Sequence, residues 1–169
     1  MIFKGSKTEI DGSSSVLFVC LGNICRSPTA EGVFRARAAR AGVAKRIVVA
    51  SAGTGDWHVG EPPDRRAITH AAKRGYDLRK QRARQICDDD FQRFHWILAM
   101  DRANLRQINA LRPESHDGHV GLFLELAPGL AVSEVPDPYY GGADGFEHVL
   151  DLIEAASDAL LAKMGVRPR

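Results

Sequence analysis

The stretch 16–32, VLFVCLGNICRSPTAEG, sets Cys20, five intervening residues, Arg26, Ser27 and Pro28 directly behind a short apolar run. Five residues curling ahead of a helix can turn successive backbone N–H groups toward a tetrahedral dianion, and the helix dipole adds partial positive charge. The candidate amides are those of Leu21, Gly22, Asn23, Ile24 and Cys25. Arg26 adds a planar fork that matches two phosphate oxygens and stays charged at any working pH. A field that welcomes phosphate also favours a thiolate, which makes Cys20 the candidate nucleophile. Attack of its sulfur on phosphorus would give a phosphocysteine, with the amides and Arg26 holding the equatorial oxygens. Ser27 is either a helix N-cap or the hydroxyl that donates to the departing sulfur. A lone cysteine ending a strand is more often a small core residue, so the joint pattern, not the cysteine alone, carries this chemistry.

A leaving phenolate or alkoxide needs a proton, which calls for a carboxylic acid elsewhere in the chain. Asp137 in VPDPYYGG is the best candidate. Pro136 and Pro138 stiffen its loop, although an Asp between prolines is by itself more often a turn former. Tyr139 and Tyr140 are hard to bury together in a Gly-flanked loop and suit the walls of a slot for an aromatic ring.

These residues need a frame that brings positions 20 and 137 together. With 169 residues, 44% hydrophobic and 26% charged, the chain fits one compact domain, residues 16–169, behind a flexible polar leader at 1–15. VLFVC at 16–20, IVVAS at 47–51, FHWILAM at 94–100 and GLFLELA at 121–127 read as strands. Helices are predicted from Pro28 to about Ala41, from Asp64 as cap to Gly75 as stop, from Asp101 to about Leu111, and from about Gly145 to Lys163. Strands and helices in alternation imply a three-layer α/β/α sandwich around a four-stranded parallel sheet. Ligands in such sheets sit beyond the carboxyl ends of the strands, where the first strand delivers Cys20.

With VLFVCLGNICRSPTAEGVF and DPYYGG both in view, the chain resembles the low-molecular-weight protein tyrosine phosphatases, as it does through SAGT, DW.VG, D.RA and ILAMD..NL. The resemblance implies metal-independent hydrolysis of phosphotyrosine through phosphocysteine, without a cofactor. It makes Cys20 the nucleophile, Arg26 the phosphate clamp, Ser27 the helper of the leaving thiolate and Asp137 the acid. Asn23 becomes the residue that shapes the loop, with Ser51 its partner behind it. Trp57, Tyr139 and Tyr140 become aromatic walls, though Trp57 as a cap on the core is an equal alternative. Relatives with a second loop cysteine imply a protective disulfide between Cys20 and Cys25; a small filler role for Cys25 weighs equally. Where many relatives carry a histidine before a Gly, bonded to the loop asparagine, this chain departs with Arg74 before Gly75, so that bond is not carried over, and His70 one turn earlier reads as a surface residue rather than a substitute.

Two readings on the same fold compete: an arsenate reductase, for which Cys87 leaves the thiol relay one cysteine short, and a protein arginine phosphatase, against which Ile24 and Tyr139–Tyr140 argue. A net charge of +2 marks no nucleic-acid or membrane partner. Eight Lys or Arg against Asp77 alone lie between Arg65 and Arg84, a run that usually forms a solvated helix face. Cys20, Cys25 and Cys87 lack zinc-site spacing and cannot all pair, which suits the reducing cytoplasm and no metal. The resemblance implies phosphotyrosine proteins as partners, a bacterial tyrosine kinase among them, and the chain is expected to be a monomer.

Overall fold

The computed structural model describes residues 14–140 and 142–166, with Tyr140 described for its backbone alone. Most of the polar leader therefore lies outside the described residues, and Ser15, assigned to it from sequence, already belongs to the first strand. Four strands form the sheet: β1 (Ser15–Cys20), β2 (Val48–Gly53), β3 (Trp96–Ala99) and β4 (His119–Leu122). The helices are α1 (Arg26–Arg40), α2 (Arg65–Lys73), the short α3 (Asp90–Arg93), α4 (Arg102–Leu111) and α5 (Ala143–Lys163). All strand pairs are parallel, in the order β2-β1-β3-β4. The direction of winding reverses at β1, which opens a crevice beyond its carboxyl end. The sheet thus puts the segment after Cys20 where a ligand can enter.

Strand β1 is apolar throughout because both of its faces are covered. Val16, Phe18 and Cys20 join a core with Phe34 of α1 and Phe146, Leu150 and Ile153 of α5. Leu17 and Val19 face a smaller core with Ile97, Phe91, Phe94 and Ile108. Phe18 anchors the larger core, its ring centroid 4.8 Å from that of Phe123 and 5.7 Å from that of Phe34.

Two boundaries differ from expectation. Helix α1 begins at Arg26 rather than Pro28, which puts Ser27 inside the first turn. The apolar run GLFLELA is not one strand: pairing with β3 stops at Leu122, and residues Phe123–Leu126 form a 3-10 turn. Strand β3 offers only four paired positions, and Phe123, Leu124 and Leu126 gain more by turning into the larger core than by extending an unpaired edge. Asp64 caps α2 by accepting from the Arg66 amide, and Gly75 ends it at φ 87°, a left-handed angle that glycine takes at little cost.

The segment 84–86 runs beside the end of β2: Gly53 N donates to Arg84 O (2.8 Å) and Ile86 N to Gly53 O (2.8 Å). Asp90, buried at the start of α3, holds this segment by accepting twice from the Arg84 guanidinium (3.0 and 2.8 Å) and once from Cys87 N (2.9 Å). Burial alone would raise the Asp90 carboxyl, but these donors keep it below the ordinary carboxylate range. A depressed folded value adds stability above the unfolded value near pH 3.9 and loses it as pH falls through the folded one. Replacing Asp90 with Ala should cost about 2 kcal/mol in urea unfolding at pH 7, a buried-pair loss discounted for the part-exposed arginine. The gap to wild type should narrow as the pH is lowered below 4.

Candidate active site

The loop from Cys20 to Arg26 turns on Asn23, which at φ 56° is the one non-glycine residue with positive φ among the described residues. Asn tolerates that conformation better than most residues, and here its amide side chain fastens it in place. Nδ2 donates to Ser27 Oγ (2.8 Å) and to Ser51 Oγ (3.0 Å), while Oδ1 accepts from Arg84 N (3.0 Å). Ser51 Oγ in turn donates to Glu31 Oε1 (2.9 Å). The curl is thus tied to α1, to β2 and to the segment that Asp90 secures.

Inside the curl, Cys20 Sγ accepts from Asn23 N (3.3 Å) and lies 2.9 Å from Ser27 Oγ. Ser27 forms no side-chain cap on α1; its hydroxyl faces sulfur because the helix begins one residue before it. The backbone N–H groups of Leu21, Gly22 and residues 24–27 donate to no other described residue, so they remain available to an anion at the helix start. Cys20 is only 3% exposed, yet it forms part of the floor of a cavity of about 270 Å³ that opens to solvent.

Arg26 is buried along the same cavity. Its Nη1 donates to Asp101 Oδ2 (2.7 Å) and Val135 O (3.0 Å), and its Nη2 lies 3.8 Å from Asp137 Oδ2. Burial works against the guanidinium charge, but the facing Cys20 sulfur, the Asp101 hydrogen bond and the charges of Asp101 and Asp137 hold its pKa above the ordinary value. Asp137 Oδ1 accepts from Tyr139 N (3.0 Å), the Asx turn that its proline neighbours favour. The distant acid and the loop therefore meet at the sheet edge.

Leu21, Gly22, Ile24, Cys25, Trp57 and Tyr139 also line the cavity. Trp57 is 68% exposed, which sets aside the core-capping alternative. Its ring lies over Gly55, where an added Cβ would fall 1.7 Å from the indole. The Tyr140 side chain and Gly141 lie outside the described residues. Asn23, Ser27 and Ser51 stand behind the loop rather than in the cavity.

Arg74 does not approach Asn23. It pairs instead with Glu147, Asp151 and Glu154 of α5, and His70 stacks on Phe146 and bonds Glu147 (2.8 Å). The departure at Arg74 therefore takes the histidine's bond out of the loop network, and the Arg84 amide serves Asn23 Oδ1 in its place. Four of the basic residues from 65 to 84 pair with acids: Arg66 with Asp64, Arg74 with α5, Arg79 with Asp77 and Arg84 with Asp90.

Sequence reasoning missed His58 on the cavity wall, Glu31 behind Ser51, and Asp101 on Arg26. Asp101 was the most accessible of these, because it follows a strand that ends at the same sheet edge and opens an Asp-x-x-Asn capping box for α4. Among the described residues no group of three or more His, Cys, Asp or Glu is placed to hold a metal ion.

The family model of the low molecular weight phosphotyrosine protein phosphatases matches residues 15–167. The chain is 47% identical over 150 residues to a low molecular weight protein-tyrosine-phosphatase of Streptomyces coelicolor, covering 87% of this chain and 91% of the relative. It is 50% identical over 133 residues to a low molecular weight phosphotyrosine protein phosphatase of Schizosaccharomyces pombe, covering 78% and 84%. A crystal structure of a protein tyrosine phosphatase from Entamoeba histolytica, with Hepes in its active site, superimposes with a TM-score of 0.85 at 36% identity, covering 89% and 96%. A Drosophila arginine phosphatase superimposes at 0.79 and 29% identity, covering 88% and 96%.

Burial pushes the Cys25 thiol up to about 12, and the negative charges of Asp64, Cys20 and Asp137 add to the rise. At neutral pH Cys25 should therefore stay a thiol and resist alkylation. With exposed Cys87 replaced by Ser, iodoacetate at pH 7 should label one site, identified by peptide mass as Cys20, and Cys25→Ser should leave the labelling rate within about twofold.

Proposed function

The chain belongs to the low molecular weight phosphotyrosine protein phosphatase family, and we propose that its hydrolysis of phosphotyrosine runs through Cys20, Arg26, Ser27 and Asp137 as follows. The phosphoryl group enters with its equatorial oxygens on the loop amides and the Arg26 fork. Cys20 sulfur attacks phosphorus as the tyrosyl oxygen departs, and Asp137 gives that oxygen its proton. Asp137, now a carboxylate, takes a proton from water, which attacks the phosphocysteine; sulfur leaves with the Ser27 hydroxyl donating to it. Phosphate and the starting enzyme result, with charge and protons balanced over the two steps.

The observation that carries this reading is the meeting of one loop, with Cys20, Arg26 and Ser27, and an acid from a distant part of the chain. Cys20 sulfur receives a loop amide and faces a serine hydroxyl, while a buried arginine on its wall reaches toward an acid 111 positions further along. Pinned donors of this kind need no reorganisation as charge builds on the oxygens, and losing one such donor typically costs about 10²-fold or more in rate. Ile24, Trp57 and Tyr139 give the entrance an apolar lining suited to a phenyl ring.

The arginine phosphatase alternative rests on fold likeness. A panel of phosphotyrosine and phosphoarginine peptides separates the two readings, with hydrolysis of the first expected to dominate. An arsenate reductase relay finds little support, since Cys87 is exposed and does not line the cavity.

Redox protection of Cys20 by Cys25 belongs to the same proposal. Peroxide would convert the Cys20 thiolate to a sulfenic acid, and Cys25 sulfur would displace its hydroxyl, giving a disulfide and water once the Cys25 proton is counted. Removing the negative charge on Cys20 also removes one cause of the raised Cys25 value. We place the enzyme in the cytoplasm, where its three cysteines stay reduced; no helix among the described residues is long and apolar enough to cross a membrane.

Cys20→Ser should abolish turnover of p-nitrophenyl phosphate. Asp137→Asn should lower kcat/KM for phenyl phosphate, a poor leaving group, at least tenfold more than for p-nitrophenyl phosphate; equal losses would remove Asp137 from the acid role. Peroxide should inactivate the wild type in a way that dithiothreitol reverses. Equal recovery by Cys25→Ala would end the protective role.

A further inference from the structure

Asp137 hangs between two fastened points. On its N-terminal side, Val135 N donates to Met100 O (2.8 Å) beyond β3, and Val135 O accepts from Arg26 (3.0 Å). On its C-terminal side stands Tyr139, whose amide closes the turn on Asp137 Oδ1 and whose carbonyl accepts from Arg66 Nη2 (2.9 Å). The Arg66 guanidinium carbon also lies 5.5 Å from the Tyr139 ring centroid and 5.0 Å from that of Phe146, which is fixed in α5. Arg66 therefore stands between the ring of the acid loop and a ring of the helix that follows it.

The guanidinium is itself held. Asp64 Oδ1 accepts from Arg66 Nε and Asp64 Oδ2 from Arg66 Nη2 (both 3.2 Å), a fork-on-carboxylate contact that sets its plane. Asp64 is tied to the phosphate-binding loop, because its backbone N donates to Ile24 O (2.8 Å). An unbroken path thus runs from Ile24 through the cap of α2 and Arg66 to Tyr139 and Asp137. Arg66 and Asp64 themselves take no part in the proposed chemistry.

We propose that Arg66 is a positioning residue that holds Asp137 at its working distance from the phosphate loop, and this rests on Asp137 being the acid. Pro136 and Pro138 make the loop stiff but do not say where it points; a stiff loop free at one end would swing as a unit. Small displacements of a reacting group can cost large factors in rate, so loosening Tyr139 should act selectively on the step that needs the acid. Lysine at 66 keeps the charge and one donor for Tyr139 O but loses the planar fork, and should restore part of the effect.

The test compares kcat/KM for phenyl phosphate and p-nitrophenyl phosphate in wild type, Arg66→Ala, Arg66→Lys, Asp137→Asn and the Arg66→Ala/Asp137→Asn double variant, with thermal unfolding measured alongside. Arg66→Ala should slow phenyl phosphate about tenfold and p-nitrophenyl phosphate less than about threefold, with KM little changed and Arg66→Lys in between. In the double variant Arg66→Ala should add less than about twofold to the loss from Asp137→Asn, because it acts through that carboxylate. If Asp137→Asn discriminates between the two substrates while Arg66→Ala slows both equally, raises KM alone, or multiplies fully with Asp137→Asn, the positioning role is overturned and the acid assignment stands. If Asp137→Asn itself fails to discriminate, the acid assignment falls and the positioning role with it.

Discussion

The mouth of this enzyme depends on one backbone reversal at Asn23. Holding an L-residue in the left-handed region costs roughly 1–2 kcal/mol, and a loop of five residues has no spare length with which to avoid it. The amide side chain offsets that cost by bonding Ser27, Ser51 and the Arg84 amide. Those partners belong to α1, to β2 and to a segment 61 positions away. The curvature that presents the loop amides to an anion is therefore a tertiary property, set by parts of the chain that never touch the substrate.

The same dependence explains what could be read in the sequence. Cys20, Arg26 and Ser27 were legible because their spacing within one turn is local and their chemistry is mutually consistent. The strands at 16–20 and 94–100 were legible because continuous apolar runs suit the two central strands, covered on both faces, and the edge strand at 47–51 by its β-branched residues. The end of β4 was not, since GLFLELA has no internal mark for the point at which its partner β3 stops. The departure at Arg74 was legible from its place before Gly75, but its actual partners, the acids of α5, were not, since they lie more than 70 positions away. Glu31, Asp101 and Arg66 reach the site through partners 20 or more positions away, and their local patterns, such as the capping box at Asp101, do not announce those contacts. Asp137 was an intermediate case: between prolines it reads first as a turn former, and only the adjacent tyrosines marked its loop as a site.

Strand β1 shows how closely core and chemistry share residues. Phe18 anchors the larger core, and two positions later Cys20 continues on the same face. The pleat that buries Phe18 thus also aims the sulfur. A one-residue slip in the β1 register would move Phe18 to the opposite face and turn Cys20 away from the loop. Parallel pairing on both sides of β1 makes that slip costly, and the proposed nucleophile inherits its rigidity from that doubly paired strand.

The two carboxylates around Arg26 divide the work by geometry. Asp101 is the nearer, at 2.7 Å, and its other oxygen caps α4 by accepting from Asn104 N, so it is fastened at both ends. Asp137 stands 3.8 Å from the guanidinium, with its side chain 41% exposed on a separate loop. An acid locked into a charge-assisted hydrogen bond and a helix cap is poorly suited to passing protons, because each transfer would break both contacts. An acid at longer range with one face toward solvent can exchange a proton with a leaving oxygen or a water while Arg26 stays in place. A buried arginine with a single carboxylate would force one group both to hold the cation and to move protons. Placing the anchor at the end of β3 and the proposed acid on the loop before α5 separates those duties.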